Sequence, residues 1–270
     1  MSRQLAYVLA VSLLILFPHL RGLAQAAPSE QVQVGLPVRR IEPPSPTATA
    51  DELEARADEL RSEKAYLDSL DYFKAAVLKN PKSAQIYNKM GIVQLQTNHL
   101  KEAQKCFERA TKLNKSHADA FNNLGVVYYE LKKYGKAIKL YSKAIALDEN
   151  AASYFSNLAA AYFSQKQFEK ATLAYTRAIQ LDPDIFERTS RTGVAAQLPS
   201  PEDRARYDYV MAKLYARMGS FERSLQYLRK SMEEGYKEIK MVYKDAEFST
   251  LRKDPRFTEL MAAQPVAIPE

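Results

Sequence analysis

The chain has a single cysteine, Cys106, among its 270 residues, so no disulfide can close within it. It has no tryptophan and only eight glycines. Those glycines never gather into a loop that would cradle a phosphate, and no Gly-x-Ser-x-Gly turn presents a serine nucleophile. The histidines are few: His19, His99 and His117. None sits with a second ligand at the spacing that places a zinc pair on one helix face. The longest apolar run, Leu5 to Phe17, is well short of the roughly 20 residues that cross a bilayer as a helix. Acidic residues are plentiful, but they follow the surface spacing of helices. No catalytic constellation emerges, so the reading is of a chain with no enzyme activity, no metal and no cofactor. Cys106 falls among core positions of a helical segment and reads as a small buried apolar residue rather than a reactive thiol.

What is present favours helix. Apolar residues make up 46% and charged residues 26% of the chain, values compatible with a folded core. Ala, Leu, Lys, Glu and Arg dominate, and these are good helix formers. The formal charge is +7. This excess is mild, and together with the export signal read below it argues against a nucleic-acid partner and leaves anionic lipid or glycan surfaces open. Near the N-terminus, Arg3 precedes the apolar run, and Ala24-Gln25-Ala26 follows it. A charged start, a short apolar centre and small residues at the end form a secretory signal, here expected to span 1–26. The alternative is an uncleaved segment that anchors the chain to a membrane. The chain is therefore expected to be exported, periplasmic or secreted. Pro28, Pro37, Pro43, Pro44 and Pro46 make the stretch 27–49 an extended, disordered linker, because proline fixes φ and lacks the N–H a helix needs.

From Ala50 the chain repeats itself. Four segments of equal length align without a gap: Ala50–Ser83, Ala84–His117, Ala118–Ala151 and Ala152–Ile185. Their eighth positions hold Ala57, Gly91, Gly125 and Ala159, and their twentieth hold Ser69, Ala103, Ala137 and Ala171. The twenty-seventh are all alanine: Ala76, Ala110, Ala144 and Ala178. The twenty-fourth are Phe73, Phe107, Tyr141 and Tyr175. Two antiparallel helices per unit explain this pattern. Small residues at positions eight and twenty face each other and let the backbones approach, while the aromatic fills the wedge toward the following unit. Pro81 and Pro183 lie just beyond second helices, which proline cannot continue. After Ile185 the register breaks in an insertion, 186–204. Ser200-Pro201-Glu202-Asp203 then starts a fifth helix pair, placed at 205–236, with Ala212 at the eighth place and Gly219 at the turn. Short capping helices are expected over 237–262 and a loose tail over 263–270.

The period and pattern resemble the tetratricopeptide repeat family. Its large fourth position is met by Tyr87, Phe121 and Phe155, its seventh by Met90, Leu124 and Leu158, and its eleventh by Tyr128 and Tyr162. Gln94 departs from the eleventh position, and Lys115 and Glu149 replace the usual proline at the thirty-second. Arg56 and Ser69 give the first unit the more polar character of an end cap. The resemblance implies an all-α fold, a right-handed superhelical solenoid of antiparallel helix pairs, and a non-enzymatic scaffold that binds a partner protein or peptide. It also implies a concave groove lined by first helices. The residues it places there are Asn88, Ile92, Leu95, Asn122, Asn123, Val126, Tyr129, Ser156, Asn157, Ala160 and Phe163, with Lys213 and Arg217 from the fifth pair. Amides beside aromatics suit an extended or helical segment, since amides both donate to and accept from a backbone. Acids in the first unit (Asp51, Glu54, Asp58) and cations in the fifth (Arg206, Lys213, Arg217) would orient such a ligand. The family's carboxylate-clamp pattern is not met: among Asn88, Ile92, Asn123, Ser153 and Asn157 only Asn123 matches it. The outer side carries many lysines, among them Lys101, Lys105, Lys133, Lys136, Lys139, Lys143, Lys166 and Lys170. They read as a solubilising convex face, or more sharply as a docking face for envelope components and anionic envelope surfaces. A structural or assembly role through that face, or service as the accessory subunit of an envelope enzyme, is the alternative to groove binding.

Overall fold

Thr49 opens the first helix with a reciprocal cap. Its hydroxyl accepts from the Glu52 N–H, and the Glu52 carboxylate accepts from the Thr49 N–H at 2.8 Å. The structure, a computed structural model, describes residues 42–186 and 200–263. The chain divides into two units, Met1–Glu42 and Pro43–Glu270, and every described helix belongs to the second. The expected signal segment, the tail beyond Ala263 and the insertion between 187 and 199 lie outside the described residues. Among the described residues all regular structure is helical, with no strand.

Five pairs follow one another: α1 (Ala50–Ser62) with α2 (Tyr66–Lys79), α3 (Ala84–Gln96) with α4 (Leu100–Leu113), α5 (Ala118–Glu130) with α6 (Tyr134–Leu147), α7 (Ala152–Ser164) with α8 (Phe168–Leu181), and α9 (Pro201–Arg217) with α10 (Phe221–Glu233). Within the first four units, each helix packs most extensively on its partner in the pair and then on the adjacent helix of the next. The turn inside each pair has the same backbone. Lys64, Asn98, Lys132 and Lys166 adopt left-handed φ angles of 62°, 60°, 56° and 58°, and Gly219 does so at 76°. Each is the fifteenth residue of its unit. The N–H that follows it reaches back to close the first helix, as in Lys133 N to Tyr128 O at 2.8 Å and Ala65 N to Leu60 O at 2.8 Å.

The core adds one detail to the sequence reading. A Cβ on Gly91 would lie 2.6 Å from the Phe107 ring, and one on Gly125 would lie 2.6 Å from the Tyr141 ring. The twenty-fourth aromatic therefore lies over the eighth residue of its own unit, and it also packs with residues of the next, Phe107 with Leu124 and Val127 and Tyr141 with Ala160 and Ala161. Positions eight and twenty do approach. Where position twenty is serine, its hydroxyl donates to the carbonyl of position eight: Ser69 to Ala57 at 2.8 Å and Ser224 to Ala212 at 2.7 Å. These buried hydroxyls are satisfied locally, so serine replaces alanine without an orphaned polar group.

The junction between the fourth and fifth pairs is made differently. Large rings fill it: Phe163 and Tyr207 meet at 5.7 Å, Tyr175 and Tyr207 at 5.7 Å, and Tyr175 and Phe186 at 5.4 Å, each edge to face. The far end of the stack is covered by three short 3-10 turns (Ile239–Tyr243, Ala246–Phe248, Leu251–Lys253) and α11 (Pro255–Ala263). They bring Phe248, Leu251, Phe257 and Leu260 onto Tyr209, Ala212 and Leu228 of the last pair. An exposed apolar end would otherwise recruit further copies or aggregate.

Candidate partner-binding groove

Because the units repeat every 34 residues, first helices of successive units stack with equivalent positions side by side. The bonds between them accordingly join residues 35 apart. Asn123 donates to Asn88 at 3.0 Å, Asn157 donates to Asn122 at 2.8 Å, and Tyr154 donates to Asp119 at 2.5 Å. The Tyr129 and Ser164 hydroxyls meet at 3.0 Å. A further bond, Asn122 to Asn123 at 3.3 Å, joins the amides into one line running Asn157, Asn122, Asn123, Asn88 across α7, α5 and α3. An amide has one carbonyl and two N–H donors, so this line leaves capacity for a further backbone on its open side.

The structure brings together the predicted groove residues but turns many of them inward. Asn88, Asn122 and Ser156 are each 6% exposed, and Asn157, Ala160, Tyr129 and Phe163 between 0% and 3%. Tyr129 packs against Tyr134 and Phe163 against Phe168 and Tyr207. These seven hold the units together and offer little area to a partner. Ile92, Leu95, Asn123 and Val126 remain half-buried, on α3 and α5. The accessible groove is thus a shorter strip than the sequence reading placed there, an apolar band with one amide.

The expected charge gradient is likewise spent internally. Lys89, half-buried between the first two units, binds Glu54 and Asp58, each at 2.5 Å. Burial works against its ammonium, but the hydrogen bonds to Asp58 and Glu54 outweigh it and raise the pKa. At the other end Lys213 pairs with Asp245 at 2.9 Å and Glu247 at 3.4 Å, and Arg206 lies over the Phe168 ring at 4.7 Å. Of the three predicted cations only Arg217 is fully exposed. Sequence reasoning passed over Lys89, although it occupies the sixth position that the family turns toward the groove. Its partners 31 and 35 residues away become visible only once the period is used to superpose the units.

Family models described as tetratricopeptide repeat match residues 88–152 and 152–185. These helix pairs are tetratricopeptide repeats. The flanking pairs, α1 with α2 and α9 with α10, continue the same turn geometry outside the matched span. A search of curated proteins finds no match. Among solved structures, Pseudomonas aeruginosa pilF shares 18% identity over 76% of this chain and 81% of its own, with a TM-score of 0.51. MamA (residues 41 to the end) from Desulfovibrio magneticus RS-1 shares 18% identity over 73% and 97%, TM-score 0.49. YrrB, described as a TPR protein with an unusual peptide-binding site, shares 20% over 72% and 91%, TM-score 0.47. At these identities the likeness is one of fold.

Among the described residues no group of three or more His, Cys, Asp or Glu is placed to hold a metal ion. Cys106 is buried, and burial pushes its thiol up to about 11, away from the thiolate a nucleophile needs. No described helix is long and apolar enough to cross a membrane. A polar cleft of about 680 Å³ opens between the inter-repeat loops, lined by Lys82, Gln85, Asn114, His117, Asp119 and Tyr154 among others. Both acids that line it are engaged: Asp148 accepts from the Asn150 N–H at 3.0 Å, and Asp119 accepts from Tyr154, whose phenol is raised by burial and by that bond.

Proposed function

We propose that the chain is a non-catalytic interaction scaffold that holds an extended segment of a partner protein along α3 and α5. The observation that carries this reading is the half-exposed strip of Ile92, Leu95 and Val126 lying beside the Asn123 amide on a rigid, repeat-built floor. Apolar side chains of the partner would lie on the strip, and its backbone would bond Asn123. The tetratricopeptide repeat assignment supports the same reading. Screening a library of extended peptides against the purified chain tests it. Ile92→Asp and Asn123→Ala should each weaken the selected binders at least tenfold, about 1.4 kcal/mol, at a temperature where each variant is shown to stay folded, since Asn123→Ala also unpairs the buried Asn88 and Asn122 amides. Binders indifferent to both substitutions, or a library that yields none, would remove the groove as the site.

The cell envelope is the proposed location. Arg3, the apolar run from Leu5 and the Ala24-Gln25-Ala26 segment support export. N-terminal sequencing of the chain recovered from its own cells should then begin at Ala27. A start upstream of the apolar run, on material released without detergent, would contradict export.

A further inference from the structure

The second helices of the third and fourth units carry an unbalanced basic surface. Between Glu130 and Asp148 there are five lysines and no acid. Four of these form one row on the exposed side: Lys132 in the turn before α6, then Lys136, Lys139 and Lys143 on α6 itself, three and four residues apart. The same positions of the next unit are Lys166, Lys170, Leu173 and Arg177, all exposed as well. The helical part of each row is about 10 Å long at the rise of an α-helix. Seven of eight side chains in the two rows are cationic, and the eighth, Leu173, is 69% exposed. The equivalent row of the second unit is mixed, Asn98, Glu102, Lys105 and Arg109, and that of the fifth pair holds only two cations, Arg223 and Lys230, so the basic rows are densest in units three and four.

Two further facts show that this charge is held ready rather than neutralised. None of the seven cations forms an ion pair among the described residues. Three of them rest on rings instead: Lys136 over Tyr128 at 5.2 Å, Lys170 over Tyr162 at 5.6 Å and Arg177 over Phe155 at 5.9 Å. A ring face steadies a cation without cancelling its charge. At the head of the first row, Lys132, Lys133, Lys136 and Lys139 surround an open depression of about 420 Å³ with Tyr134, Gly135 and Gln165.

We propose that this two-row face docks the chain on an anionic lipid surface, with Leu173 entering the headgroup layer between the cations. A planar array of charges meets a surface, whereas a single row would suffice for one acidic strand. Lysines outnumber arginine six to one here, and their flexible point charges suit diffuse headgroup charge better than bidentate recognition. The surface is separate from the groove, so its test is independent of peptide binding.

Sedimentation of the full chain with vesicles decides the matter. Vesicles of equal parts phosphatidylcholine and phosphatidylglycerol should carry the chain down at low salt and release it at high salt, while phosphatidylcholine alone should not. Changing Lys132, Lys139, Lys143 and Lys166 together to Glu should weaken binding by about a hundredfold or more, since each cation near such a surface adds about fivefold. The same four changed to Gln should also weaken binding, which separates lost attraction from any disturbance of the fold by reversed charges. Leu173→Ser should weaken binding several-fold. Equal binding to neutral vesicles, or binding unaffected by the lysine substitutions, overturns the proposal. So does capture of polyglutamate by a chain that leaves the anionic vesicles in solution, which would assign the face to an acidic polypeptide.

Discussion

Replacing Tyr129 by Ala should lower the stability of the chain by about 3–5 kcal/mol, and Phe163→Ala by a similar amount. Urea denaturation of the purified variants measures both. Tyr129 is fully buried, its ring stands 5.3 Å from that of Tyr134, and its hydroxyl meets Ser164 on the next first helix. Truncation removes the packing and one of the two hydrogen bonds of the Ser164 hydroxyl, which also donates to the Ala160 carbonyl at 2.9 Å. Phe163 is 3% exposed and carries the ring contacts that join the fourth pair to the fifth. A loss of partner binding in either variant would therefore follow from a weakened stack and would not identify a contact residue. If both variants keep the parent midpoint, these rings are not structural and the packing described above is wrong.

The third unit offers a pair of substitutions with opposite signs. Gly125→Val should cost about 3 kcal/mol, at the upper end of overpacking, because even its Cβ falls 2.6 Å from the buried Tyr141 ring. Tyr141→Phe should instead stabilise by about 1 kcal/mol, since the buried Tyr141 hydroxyl has no hydrogen-bond partner among the described residues. Phe73 and Phe107 occupy its place in the first two units, so the framework already accommodates a plain ring. Combining Gly125→Val with Tyr141→Leu should cost less than the sum of the single changes, because the smaller side chain vacates the space the valine needs. Strict additivity would mean that the two residues do not share that space.

The helical framework was legible because it is written in local terms. A period of 34 residues places Ala50, Ala84, Ala118 and Ala152 at the heads of α1, α3, α5 and α7. Ser200 and Pro201 announce α9 by capping chemistry alone. The groove was less legible because exposure there depends on what lies across the helix. Asn88 and Asn123 occupy adjacent positions of neighbouring units and both read as amides facing outward. The bond between them lets one close over the other, so Asn88 is buried while Asn123 stays half-exposed. Lys213 looked like a free cation because Asp245 and Glu247 lie in the short turns after the repeats, where no periodicity guides the eye. The glycines were recognised as places of close approach, but a pattern of small residues does not say which neighbour enters the space.

The fifteenth residue of each unit holds a left-handed backbone that glycine adopts more easily, by about 1 kcal/mol, yet only Gly219 is a glycine. Lys132 and Lys166 accept the torsional penalty and stand at the heads of the two basic rows. Selection acting on that one corner trades backbone ease against exterior chemistry while the helices on either side stay as they are. An array of this kind gains or loses an external property one hinge at a time, without renegotiating its interior.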